Sequence, residues 1–292
     1  MRRSRLDAAP LAAVSRTPVR FSVNQITTMQ WPFERDVDAF AAAGVGAVGI
    51  AIRKLEAYGV ARAVRLVRAA GLAVSCLTSS GPAPLGDAAG ERAALERTRR
   101  HLDAAAELGA DCLMTLPGSA IGWSWEENAA RARPLLEALL PHAEQAGVRI
   151  ALEPTSQLRM DLAFLHSFDE ALDFTDVIDS PWLTVVLELN NAWIEPRLYD
   201  NIRRRTPRIG IVQVSDFRVG TLAANERVVI GDGDIPLRRI CRALAAAGYA
   251  GWYDIELLGS AIEAEGYEAV LPRAIARFRA LWDEGRNVTS DR

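Results

Sequence analysis

One punctuation mark recurs through this chain and limits what it can fold into. Ala-rich amphipathic stretches end on a glycine and give way to short β-rich runs at Ala43-Gly44-Val45, Ala70-Gly71-Leu72, Leu108-Gly109-Ala110, Ala146-Gly147-Val148 and Ala247-Gly248-Tyr249. A left-handed helix C-cap favours glycine, which has no Cβ to clash at positive φ. Helix followed by strand, in series, defines an α/β chain with parallel strands. Strands are predicted near residues 20–24, 47–52, 72–77, 112–116, 149–152, 183–187, 209–214 and 252–255. Eight β/α units in 292 residues suit a (β/α)8 TIM barrel. The rival, a doubly wound open sheet, calls for a Gly-rich phosphate turn after its first strand. Here Asn24-Gln25-Ile26-Thr27-Thr28 follows that strand, with no glycine. The expectation is one barrel domain over 18–284, with 1–17 a flexible leader and 285–292 a flexible tail.

Bulk properties exclude several classes. A net charge of −3 with mixed signs gives no basic footprint for nucleic acid. No apolar run reaches the ~18 residues that span a bilayer, and Pro10 breaks the only N-terminal apolar run. Cys76, Cys112 and Cys241 are an odd set, expected as buried free thiols in a reducing cytoplasm.

The segment Arg227–Ser260 carries the densest information. A Gly231-Asp232-Gly233-Asp234 turn precedes Ile235-Pro236, which opens a helix predicted over 237–247. Gly248 stops that helix, and the run Trp252–Ile255 delivers Glu256 at a strand end. Glu153 and Glu188 end the fifth and sixth strands, and Gln213 lies at the end of the seventh. In a barrel all these ends meet at one mouth, where catalysis sits. Three carboxylates there repel unless protonated or bridged by a cation. Three carboxylates and an amide oxygen make a hard donor set, suited to Mn²⁺ or Mg²⁺, with Ca²⁺ an option, rather than Zn²⁺. The alternative is neutralisation by Arg53, Lys54 and Arg218 without metal.

The Glu153-Pro154 pair, the acidic end of the sixth strand, Gln213-Val214-Ser215-Asp216, and GDGDIP followed by GYAGWYDIE together resemble the xylose-isomerase-like TIM barrels. The resemblance covers about residues 20–280. It implies a sugar isomerase or epimerase with one divalent cation on Glu153, Glu188, Gln213 and Glu256. It also implies proton transfer beside a carbonyl, for which Glu153 and Glu256 are the catalytic candidates. Two positions depart from the family pattern: Gln213 and Asn191 stand where histidines are usual. His101, His142 and His166 fall on helices and in a loop, which sets this chain apart from the zinc endonuclease branch. Asn24, Arg53, Lys54, Asn191, Asp216 and Arg218 lie just past strand ends, as candidates to bind hydroxyls or a phosphate. Trp31, Trp123, Trp125 and Trp193 fall in mouth-side loops, to stack on a sugar or an aromatic aglycone, or to pack in a homo-oligomer. The expected partner is thus a small carbohydrate-like molecule. A dehydratase or lyase acting on an oxidised sugar, and a non-catalytic binding subunit, are the alternatives.

Overall fold

Each strand is buried on both faces, which explains why it reads as a continuous apolar run rather than an alternating one. In the computed structural model, which describes residues 19–282 apart from 79, 82, 120 and 224, the strands form a closed parallel barrel in the order β1 to β8. They are β1 Phe21–Asn24, β2 Ala47–Ala51, β3 Ala73–Thr78, β4 Cys112–Thr115, β5 Arg149–Leu152, β6 Leu183–Glu188, β7 Ile209–Val214 and β8 Tyr253–Ile255. The ring closes where Ser22 pairs with Asp254 and Val23 with Ile255. The expected leader and tail, 1–17 and 285–292, lie outside the described residues.

Side chains alternate between the barrel's interior and its outer face. Ala47, Cys76, Cys112, Met114, Ala151, Val186, Ile211 and Trp252 fill the interior. Val23, Val48, Leu113, Ile150, Val185 and Val212 belong to the larger core, shared with the helical ring. That ring comprises α1 Phe33–Ala42, α2 Ile52–Tyr58, α3 Val60–Ala69, α4 Ala88–Leu108, α5 Trp125–Glu137, α6 Leu140–Ala146 and α7 Phe168–Ile178. It continues with α8 Leu189–Ala192, α9 Leu198–Arg205, α10 Leu237–Ala246, α11 Ser260–Glu265 and α12 Tyr267–Ala280. All five punctuating glycines have positive φ, between 66° and 81°. Cys76, Cys112 and Cys241 are buried free thiols, as expected.

Three helical stretches between strands are broken in two. Gly59, at φ 93°, separates α2 from α3, and Gly266, at φ 88°, separates α11 from α12. The third break, between α5 and α6, falls at Ala138–Leu139, with Pro141 in the first turn of α6. Among the described residues no helix is long and apolar enough to cross a membrane.

Candidate active site

Parallel strands bring their C-terminal ends to one rim, and the register decides which side chains share it. Glu188 pairs with Gln213 between β6 and β7, and Gln213 pairs with Asp254 between β7 and β8. Val186 and Ile211 face the interior, so Glu188 and Gln213, two residues further on, do too. The same step carries Ala151 to Glu153 and Trp252 through Asp254 to Glu256. A cavity of about 190 Å³ opens at this rim, lined by Glu153, Glu256, Arg227, Asn191, Thr155 and Ile26 among others.

The site is electrostatically strained. Burial, then repulsion from Glu153, Asp254 and Glu188, pushes the Glu256 carboxyl well above its ordinary range. Burial, followed by Glu188, also raises Glu153. Glu188 is raised by burial, against the pull of Arg227 and two backbone amides. Those amides, of Asn190 and Asn191, donate to the Glu188 oxygens at 3.0 and 2.9 Å, so the Glu188 carboxylate caps the short helix α8.

The opposing positive charge comes from Arg227, not from Arg53, Lys54 or Arg218. Its Nη2 lies 3.8 Å from Glu188 Oε1, and its side chain is only 7% exposed. The sequence puts Arg227 in a long loop, where nothing in its spacing marks it. Tertiary contact does: its backbone N–H donates to Leu258 O at 2.9 Å, just past Glu256. Asp254 also escapes pattern reading, since an acid inside a strand looks like an outward-facing residue. It is fully buried, accepting from Ser22 Oγ at 2.5 Å and Asn24 Nδ2 at 2.7 Å. Burial raises its carboxyl to about 6.

Of the six residues expected to bind substrate, Asn191 lines the cavity. Asn24 is held below it, bonded to Asp254 and to Thr78 Oγ1 at 3.0 Å. Lys54 Nζ donates to Asp36 Oδ2 at 2.6 Å and to Thr28 O at 2.8 Å. Asp216 accepts backbone bonds from Phe217, Gly231, Gly233 and Ile235. Arg218 donates to Asp232 O at 2.9 Å, and Arg53 is exposed on α2. The four tryptophans do not line the cavity either. Trp31 meets Tyr267 edge-on, Trp125 packs on Phe164 and Phe174, Trp123 sits over Gly86, and Trp193 caps α8 beside α10.

Among the described residues no three His, Cys, Asp or Glu side chains stand close enough together to hold an ion. Glu188 accepts from its capping amides, and the strand 7 position offers the amide of Gln213. The donor chemistry nonetheless fits a hard divalent cation. Both side-chain atoms of Gln213, buried at the rim, lack a hydrogen-bond partner among the described residues. A buried polar group without a partner is costly, and a cation on the amide oxygen would relieve that cost. The carboxylate oxygens that accept backbone N–H groups retain further lone pairs for a metal.

Residues 37–281 match the xylose isomerase-like TIM barrel family, and the chain belongs to it. Protein SMc04130 of Sinorhizobium meliloti 1021 is similar in structure, with a TM-score of 0.85 and 30% identity over 90% of this chain and 98% of that one. Fructoselysine 3-epimerase of Escherichia coli O157:H7 is 25% identical over 206 residues, 68% of this chain and 71% of the relative. D-Psicose 3-epimerase of Clostridium cellulolyticum H10, solved with D-tagatose, shares the fold at a TM-score of 0.75 and 18% identity, over 90% of this chain and 98% of that one.

Proposed function

We propose that this protein is a divalent-cation-dependent epimerase or isomerase of a ketose or ketose conjugate, moving a proton on the carbon beside the carbonyl. The observation that carries this reading is the meeting of Glu153 and Glu256 on one cavity, with the partnerless amide of Gln213 at the end of β7, paired with Glu188 and Asp254. The fructoselysine 3-epimerase relative supports the substrate class.

Glu153, Glu188, Gln213 and Glu256 would hold the ion. When bound, such an ion polarises a carbonyl and stabilises the enediolate, which makes the C–H acidic enough to lose its proton.

Glu153 and Glu256 stand one residue past the ends of β5 and β8, three strands apart around the ring, and so reach a substrate from different directions. One carboxylate takes the proton and the other returns one to the opposite face, inverting the carbon. A free carboxylate with a pKa near ~4.3 is a weak base for a C–H bond, so the reaction depends on the carbon being acidified by the polarised carbonyl. Arg227 keeps a fixed positive charge on the cavity wall beside Glu188, where it would meet the oxygens of a bound substrate. Asn191 offers an amide to a hydroxyl.

The test is incubation of the Mn²⁺-loaded protein in D₂O with D-fructose, D-psicose, D-tagatose and fructoselysine. The expected product is an epimer carrying deuterium at the inverted carbon. Loss of water would point instead to elimination from the same enolate. Recovery of all four sugars unlabelled would contradict the epimerase reading.

A further inference from the structure

Glu256 carries a proton in the reading above, yet β8 ends at Ile255, so this carboxylate hangs from the first residue of a loop. The β1–β8 ladder also ends there, at Val23 and Ile255. Backbone pairing with β1 therefore stops one residue before the position that needs it most. A single side chain replaces it. Thr27 Oγ1 donates to Ile255 O at 3.2 Å and accepts from Leu257 N at 3.0 Å. One hydroxyl thus bridges the residues on either side of Glu256, while the Glu256 N–H donates to Val214 O at 3.1 Å.

Thr27 is itself held fast. Its N–H donates to Asn24 O at 2.9 Å, and Asn24 Oδ1 accepts from Ile26 N at 3.0 Å. Gln25 N donates to Gly49 O at 2.8 Å, and Gln25 Oε1 accepts from Ala51 N at 3.2 Å. On the far side Thr28 Oγ1 donates to Asp36 Oδ1 at 2.7 Å. The turn is bonded to β2, β8 and α1, and Thr27 is 2% exposed. Such redundancy suits a part that must not move. The next residue back, Ile26, lines the cavity, so the same turn shapes the wall that the substrate would meet.

We infer that Thr27 is a positioning residue for Glu256: its hydroxyl latches the end of β8 to the β1–α1 turn and sets where the carboxylate enters the cavity. The catalytic part of this inference rests on the epimerase reading; the latch does not.

Three proteins decide it: wild type, Thr27→Ser, which keeps the hydroxyl, and Thr27→Val, which keeps the shape. Solvent-deuterium exchange into the ketose gives kcat and KM, and amide hydrogen exchange at Leu257 reads the latch without substrate. A displacement of about 1 Å at a reacting group costs on the order of 100-fold, so Thr27→Val should lose about 10- to 100-fold in kcat with KM within about threefold. Thr27→Ser should stay close to wild type, and the Leu257 amide should exchange faster in the valine variant alone. Wild-type kcat in Thr27→Val, or an equal loss in Thr27→Ser, would overturn the positioning role. If wild type exchanges no substrate proton, the epimerase reading fails, and the Leu257 amide still decides the latch. Equal protection in wild type and Thr27→Val would then overturn it. If the valine variant does not fold, Thr27→Ala takes its place with the same expectations.

Discussion

Lys54 follows a strand end and carries a charge that could bind a phosphate, but its neighbour makes it a structural residue. Asp36, on α1, is fully buried, and burial raises its carboxyl from 3.8 to about 6 even with the ammonium in contact. A raised native pKa means the folded state holds the proton more tightly. Ionisation of Asp36 therefore costs stability as pH climbs from about 4 through about 6. Removing the ammonium enlarges that cost. Lys54→Met should destabilise by about 3–5 kcal/mol, and by more at about pH 8 than at about pH 5, where Asp36 stays protonated. Urea unfolding at the two pH values checks this, and equal losses at both would count against it. Gly49 gives a second residue-scale prediction. A Cβ there would lie 2.7 Å from Asn24 Nδ2 and 2.8 Å from Asp254 Oδ1. Gly49→Ala should cost about 1–3 kcal/mol in the same experiment. Glu256→Gln, nearly equal in shape, should keep the fold and lose turnover, read by circular dichroism and deuterium exchange. Full activity would remove Glu256 from the mechanism.

At the scale of elements, the loop between β7 and α10 is built on one carboxylate. Asp216 accepts from Gly231 N at 2.8 Å and from Gly233 N and Ile235 N at 3.1 Å. A Cβ on Gly233 would come within 2.3 Å of Asp216 Oδ1, so the backbone approaches as closely as only glycine allows. The loop then returns as Val228 bridges Asp216, and Arg227 is delivered to the cavity. Asp216→Ala takes the acceptor from four loop N–H groups, of which that of Ile235 is buried and costs about 1–3 kcal/mol to strand. It should lower the melting temperature and expose 217–235 to limited proteolysis. An unchanged melting temperature would contradict this role. Helix ends and strand order were legible in the sequence because a glycine cap and an apolar run are local signals. The breaks at Gly59 and Gly266 were less so, since an amphipathic pattern continues across them. The GDGDIP turn was visible, but not the acid that folds it, because Asp216 lies 15 residues before Gly231 and nothing in a linear pattern joins them.

For the whole molecule, ring closure is the functional fact. Eight parallel strands put Glu153, Glu188, Gln213 and Glu256 on one rim although they are spread over 104 positions of the chain. That convergence could be read from the sequence, because an acid at a strand end has only one place to go in a barrel. Arg227, Asp254 and Thr27 could not: their roles are set by contacts between β1, β8 and a long loop. Asn24, at the end of β1, and Lys54 and Asp216, past the ends of β2 and β7, are likewise spent on holding the frame, through Asp254, Asp36 and the loop amides respectively.

In the proposed site four side chains from four strand ends share one hard cation. An electron paramagnetic resonance titration of Mn²⁺ into wild type and the Glu153→Gln, Glu188→Gln, Gln213→Ala and Glu256→Gln variants tests it most directly. One ion per wild-type chain, bound more weakly in every variant, is the predicted result. A wild type that takes up no ion, or four variants that bind as wild type does, would contradict it.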